Sequence, residues 1–196
     1  MSIFQRMSGT VLDIVETVVV ALSIFLVVYL FFMQPHQVNG QSMEPTFLSG
    51  EYVLTDKVSY QTGEPRRGDV VVFHAPEAAG CPQGTGCDFI KRIIGLPGDT
   101  ISVHDNALYI NGQALPEPYI PPENYTKAGE FTQGGREIYL GENEYFAVGD
   151  NRPFSSDSRV WGPIGKQNIV GRAFLRYWPL EKVGLIPRVA YEGFSR

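Results

Sequence analysis

The run "VLDIVETVVVALSIFLVVYLFFM", residues 11–33, constrains this chain more than any other stretch. From Thr17 to Met33 it carries no charged side chain. A helix over the whole run is roughly 34 Å long at about 1.5 Å per residue, enough to cross a bilayer core. Asp13 and Glu16 then fall near one interface, where charge is tolerable. Tyr29, Phe31 and Phe32 fall toward the other end and suit an interfacial anchor. A cleavable leader is the competing reading. It fits poorly, because the run is long, Arg6 is the lone cation before it, and "QPHQVNG" after it offers no small-x-small cleavage site. The run is therefore read as a retained anchor.

After Pro35 the pattern changes. "EYVLTDKVSY" and "GDVVVFHAP" are β-branched and aromatic runs bounded by Gly and Pro. "KRIIGLPGDTISVHDNALYINGQAL" reads as strand, turn, strand, tight turn, strand, with "DN" and "NG" as hairpin signals. "EIYLGENEYFAVGD" and "IVGRAFLRYWPL" add further strands. The 21 Gly and 14 Pro suit short strands joined by turns. The expected fold is mainly β, an antiparallel sheet domain after one transmembrane helix. Residues 1–10 are expected to form a short tail, 11–33 the anchor, and 34–196 a β-rich domain. Within that domain, residues 116–135 read as an irregular insertion, poor in pattern.

The formal net charge of −5 gives no electrostatic footprint for nucleic acid. Cys81 and Cys87 flank "PQGTG", a segment able to curl into a short loop. A disulfide there needs an oxidising compartment, and the alternative is two free thiols. Two Cys without a His cluster do not make a zinc site, so no metal is expected.

Three segments carry possible chemistry. Ser42, in "VNGQSMEPTFLSGE", follows Gly40, which allows close backbone approach. That suits a nucleophile and equally suits an ordinary turn. Lys91, in "DFIKRIIGLPGD", sits in a strongly apolar strand. Alternation puts it on one face with Phe89 and Ile93, and Arg92 on the other. A Lys on an apolar face loses hydration, which favours the neutral amine, a possible proton acceptor. The bland reading is a Lys whose stem packs while its head reaches water. "VGDNRPFSSDSRVWGPIG" is dense in directional hydrogen-bonding groups. Asp157 and Arg159 fit an ion pair that fixes a loop, and Ser155, Ser156 and Ser158 offer hydroxyls to orient an amine. His36, His74 and His104 lie outside these segments, which argues against a histidine base.

Taken together, these segments resemble the bacterial type I signal peptidases, membrane-anchored proteases with a Ser/Lys dyad. "SMEPT" (42–46) is similar to the family's nucleophile box and "RGDVVVF" (67–73) to its second conserved strand. "KRIIGLPGD" (91–99) is similar to the box with the general base, and "GDNRPFSSDSRVWG" (149–162) to the last box. The resemblance implies Ser42 as nucleophile and Lys91 as base. Ser155 would be the hydroxyl that hydrogen-bonds the base, with Asp150, Asp157 and Arg159 in support. Some members carry a Ser two residues before the nucleophile, where this chain has Gly40. The oxyanion would then rely on backbone donors at Gly40 and Ser42. The chain resembles the compact, single-anchor kind.

The resemblance further implies a plasma-membrane enzyme that needs no cofactor. Orientation is read from the residues themselves: Arg6 and the amino terminus favour a cytoplasmic amino end, a signal blurred by Asp13 and Glu16, and a bonded cysteine pair would put the catalytic domain outside the cytoplasm. The partners implied by the resemblance would be the bilayer and signal-peptide-bearing preproteins, docking as an extended strand with small side chains one and three residues before the cut. Two rivals stand beside it. A self-cleaving repressor shares the chemistry but needs a DNA-binding module. A catalytically inactive, membrane-tethered β module would differ little in composition.

Overall fold

The structure is a computed structural model that describes residues 3–81, 87–191, 193 and 194. Helix α1 spans Ile3–Phe31. It starts within the stretch expected as a tail, because nothing in residues 3–10 breaks a helix; Gly9 costs only about 1 kcal/mol. It stops at Phe31, and Met33 already belongs to a strand, since Pro35 forces its predecessor into extended backbone. None of the apolar stretch Val11–Tyr29 is buried against the rest of the chain. The Thr17 and Ser23 hydroxyls donate to the Asp13 and Val19 carbonyls at 2.8 Å, which satisfies them within the helix.

The strands that follow are β1 (Met33–Gln37), β2 (Tyr52–Asp56), β3 (Val70–His74), β4 (Asp88–Gly95), β5 (Thr100–His104) and β6 (Ala107–Ile110). Then come β7 (Gln113–Ala114), β8 (Ile138–Tyr139), β9 (Glu144–Val148), β10 (Ile164–Gly165), β11 (Ile169–Trp178) and β12 (Gly184–Leu185). Beyond α1, α2 (Ser59–Thr62) and α3 (Ser158–Trp161) are single turns. The larger sheet runs β1-β2-β11-β3-β4-β9-β10, with β12 beside β11, and the smaller runs β7-β6-β5-β8. All pairings among the described residues are antiparallel. The β5–β6 and β6–β7 turns have positive φ at Asp105, Asn106, Asn111 and Gly112, the geometry that "DN" and "NG" favour.

The larger sheet curls. Register shifts in β11 mark bulges, which bend a strand. As a result His36 on edge strand β1 comes within 3.6 Å of Asp88 at the start of β4. Strand β3 is apolar at Val70–Phe73 because both its faces are covered. Val71 and Phe73 join Ile93, Tyr145 and Trp161, while Val70 joins Val38, Met43, Phe47 and Val53. A third cluster links the sheets through Ile94, Phe146 and Val148 on one side and Ile101, Leu108 and Ile110 on the other.

Residues 116–135 contain no strand, but they are not a loose excursion. Thr126 and Thr132 are buried, and Tyr119 and Phe131 pack on the cluster between the sheets. Periodicity could not reveal this, because the segment docks through single side chains rather than a repeating face.

Candidate active site

Ser42 lies in the turn that follows β1. Its segment is fixed by apolar neighbours: Val38, Met43 and Phe47 are buried together with Val53 and Val70. Gly40 stands at φ +90°, a left-handed position that favours glycine. Its N–H donates to Ser49 Oγ at 3.1 Å. Of the two backbone donors expected for an oxyanion, Gly40 is thus already engaged.

Lys91 is in β4 and is 4% exposed. Its Nζ lies 2.8 Å from Ser42 Oγ, across 49 residues of sequence. Its other acceptor is the Ile90 carbonyl at 3.0 Å. Alternation holds: the amine stands 5.1 Å over the Phe89 ring, while Arg92 points the opposite way. Burial drives the Lys91 amine down to about 8; Asp157 and Asp150 resist that fall and Arg159 adds to it. Below that pH the folded state holds a buried charge that the unfolded chain holds in water. The difference from 10.5 corresponds to about 3 kcal/mol. The folded state binds fewer protons than the unfolded one between pH 8 and 10.5, so stability rises with pH through that window. Lys91→Met is expected to melt higher than wild type at pH 6–7 and to lose that advantage above about pH 10. Thermal melts across pH check this; a lower melting temperature at pH 6 contradicts it.

The segment 149–162 encloses the pair. Asp150 is fully buried and accepts from Arg92 Nε at 2.9 Å, Arg92 Nη2 at 2.6 Å and Thr46 Oγ1 at 2.6 Å. Asp157, also fully buried, caps α3 and binds Arg159 through Nε at 2.8 Å and Nη2 at 2.7 Å. Burial raises the Asp157 carboxyl, but Arg159 outweighs it and holds it below the usual range. Asn151 ties the segment to the Ser42 turn: its N–H donates to the Ser42 carbonyl and its Nδ2 to the Gln41 carbonyl, both at 3.0 Å. A Cβ on Gly149 would stand 2.4 Å from that Ser42 carbonyl, so only glycine fits.

The serines divide. Ser158 Oγ accepts from Ala147 N at 3.0 Å, and Ser156 lines the cleft beside Ser42. Ser155 Oγ is buried against Gly149 and is not among the partners of Lys91 Nζ. The hydrogen bond expected between Ser155 and the base is therefore replaced by one to the Ile90 carbonyl.

A cleft of about 280 Å³ opens on the pair. Its walls come from 36–42 on one side and 88–91 on the other, with Phe154 and Ser156 at one end. The family model for signal peptidase, peptidase S26, matches residues 11–178. The chain belongs to the S26 signal peptidase family. Signal peptidase IB of Staphylococcus aureus (strain COL) is 33% identical over 187 residues, covering 90% of this chain and 94% of that protein. A probable signal peptidase I-2 of Synechocystis sp. is 34% identical over 178 residues, covering 91% of this chain and 78% of that one. A crystal structure of a signal peptidase I from Enterococcus faecalis V583 is 36% identical. It covers 56% of this chain and 96% of that chain, with a TM-score of 0.44. As an S26 signal peptidase, the chain is a serine-type endopeptidase whose substrates are preproteins with signal peptides.

Other residues of this signal peptidase reach the site without standing out in the sequence. His36 lines the cleft; its Nδ1 is 3.0 Å from Thr55 Oγ1 and burial lowers its pKa. His74 Nδ1 pairs with Asp88 at 2.7 Å, and His104 stacks on Tyr109 at the surface. Sequence reading kept all three apart from the site, and His36 reaches it only because the sheet curls. Glu117, the partner of Arg152 in the segment 149–162, is likewise a residue that no local pattern signals. Cys81 and Cys87 are bonded to one another, and the residues between them, 82–86, lie outside the described residues.

Proposed function

We propose that Ser42 is the nucleophile and Lys91 the general base of this signal peptidase. The single observation that carries the reading is the 2.8 Å contact between Lys91 Nζ and Ser42 Oγ, made by an amine buried enough to be neutral near pH 8. With the amine neutral, the hydroxyl donates to it. Ser42 Oγ attacks the scissile carbonyl as its proton passes to Lys91. The Lys91 ammonium then protonates the leaving amine, and the neutral amine next takes a proton from the water that hydrolyses the acyl-enzyme. The Ser42 N–H is the backbone donor for the oxyanion, since the Gly40 N–H is bonded to Ser49. Asp150, Asp157 and Arg159 hold the surrounding segment in shape.

The substrate strand lies between the two walls of the cleft, and β1, a terminal strand of its sheet, offers an edge for it. Helix α1 is the one membrane span among the described residues, with its amino end cytoplasmic and the β domain outside. The paired cysteines support that orientation, because an oxidising compartment preserves such a bond.

The pH profile tests the base. With Lys91 in the role, kcat/KM for a model preprotein in detergent rises about tenfold per pH unit and levels off near pH 8. An acid limb with its midpoint at or below about 6.5 would hand the role to a histidine such as His36.

A further inference from the structure

We infer that Glu117, outside every motif of the family, is a positioning residue for catalysis, acting through Arg152. The inference rests on the Ser42–Lys91 reading above. Three arginines are buried around the segment 149–162: Arg92, Arg152 and Arg159. Asp150 is gripped by Arg92 and Asp157 by Arg159. Both are local partners of the strands and turns that hold the dyad. The carboxylate that pairs Arg152 comes from elsewhere. Glu117 binds it in a two-pronged grip, with Nη1 to Oε2 at 2.5 Å and Nη2 to Oε1. Thr126 Oγ1 accepts a further bond from Nη1. Both partners lie in the patternless stretch 116–135.

Arg152 passes this fixation inward. Its Nε donates to the Gly149 carbonyl at 3.0 Å. Gly149 is the residue whose Cα packs against the Ser42 carbonyl and whose N–H binds Asp157 at 3.1 Å. Two further contacts tie the same stretch to the site. Arg159 Nη1 donates to the Lys127 carbonyl at 3.1 Å, and the Tyr119 ring lies 4.6 Å under the Arg92 guanidinium while its hydroxyl donates to Glu117 at 2.8 Å. The stretch 116–135 is thus a buttress that sets where Gly149, and with it Ser42, stands. A planar two-pronged pair fixes direction as well as distance. Neutral Gln keeps the shape of Glu117 but loses one acceptor and leaves a buried guanidinium without its counter-charge.

The test uses the full chain in detergent with a model preprotein, reading kcat and KM per folded molecule, alongside wild type and Ser42→Ala. Glu117→Gln is expected to lower kcat by about 10²-fold with KM within about twofold, the mark of displaced catalytic groups rather than lost binding. Glu117→Asp restores most of kcat. Thr126→Val, which keeps the ion pair, lowers kcat several-fold. A folded Glu117→Gln with wild-type kcat overturns the inference, and so does an equal loss in Glu117→Asp and Glu117→Gln. Should Glu117→Gln not fold, Thr126→Val decides, and a wild-type kcat there overturns the inference. Cleavage by Ser42→Ala at the wild-type rate would instead refute the dyad, and that outcome is read independently of Glu117.

Discussion

Ser42→Ala, assayed in detergent on a model preprotein, cleaves at least about 10⁴-fold more slowly than wild type. Lys91→Ala falls to a similar floor. The two losses do not multiply in the double variant, because nucleophile and base act as one unit. Neither change needs to disturb the fold. Ser42 Oγ has Lys91 as its partner, and removing a buried amine relieves a desolvation cost. At pH 6–7 a melting temperature at or above wild type therefore accompanies the lost activity of Lys91→Ala. If Ser42→Ala cut at near the wild-type rate, the hydroxyl would not be the nucleophile. If Lys91→Ala did so, another group would be the base. A wild-type chain inert on every preprotein would favour an inactive, membrane-tethered module.

Asp150→Ala produces the largest loss of stability. The carboxylate is fully buried and holds two nitrogens of Arg92, itself buried, along with the Thr46 hydroxyl. Truncation strands the guanidinium, a change that costs about 3–5 kcal/mol. For a chain of this size that lowers Tm by on the order of 10 °C. It also removes a negative charge that favours protonated Lys91, so the acid limb of the activity profile moves to lower pH. Arg92→Met combined with Asp150→Leu is expected to recover most of the stability, because no buried charge is then left unpaired. Circular-dichroism melts read both outcomes. A single variant within about 1 kcal/mol of wild type would mean that Arg92 finds another counter-charge.

Much of this was legible in the residues, and the reason differs from place to place. The turns at 105–106 and 111–112 announced themselves because Asn and Gly tolerate positive φ. Strand alternation placed Lys91 with Phe89 and Ile93 and turned Arg92 away, which the contacts bear out. The partner of Lys91 was not legible from spacing, because 49 residues and several sheet crossings separate it from Ser42. Only the resemblance joined them. The resemblance gave Ser155 a bond to the base, which the amine makes instead with the Ile90 carbonyl. It gave the oxyanion a Gly40 donor that Ser49 occupies. Glu117 and His36 could not be foreseen. One sits in a stretch without periodicity, and the other meets the cleft through curvature that depends on bulges in a strand far along the chain.

The joint between α1 and β1 has its own consequence. The helix ends at Phe31, the strand starts at Met33, and the Phe32 carbonyl is held by the Lys57 N–H at 3.0 Å. Strand β1 is then fastened along its length to β2, so no slack tether separates the apolar helix from the β domain. On the proposed crossing of the bilayer by α1, Ser42 would work at a set altitude above the lipid. The fold would then act as a ruler: which bond is cut would depend on how far the substrate's own apolar segment lets its chain rise to that mark, as well as on the side chains beside the cut.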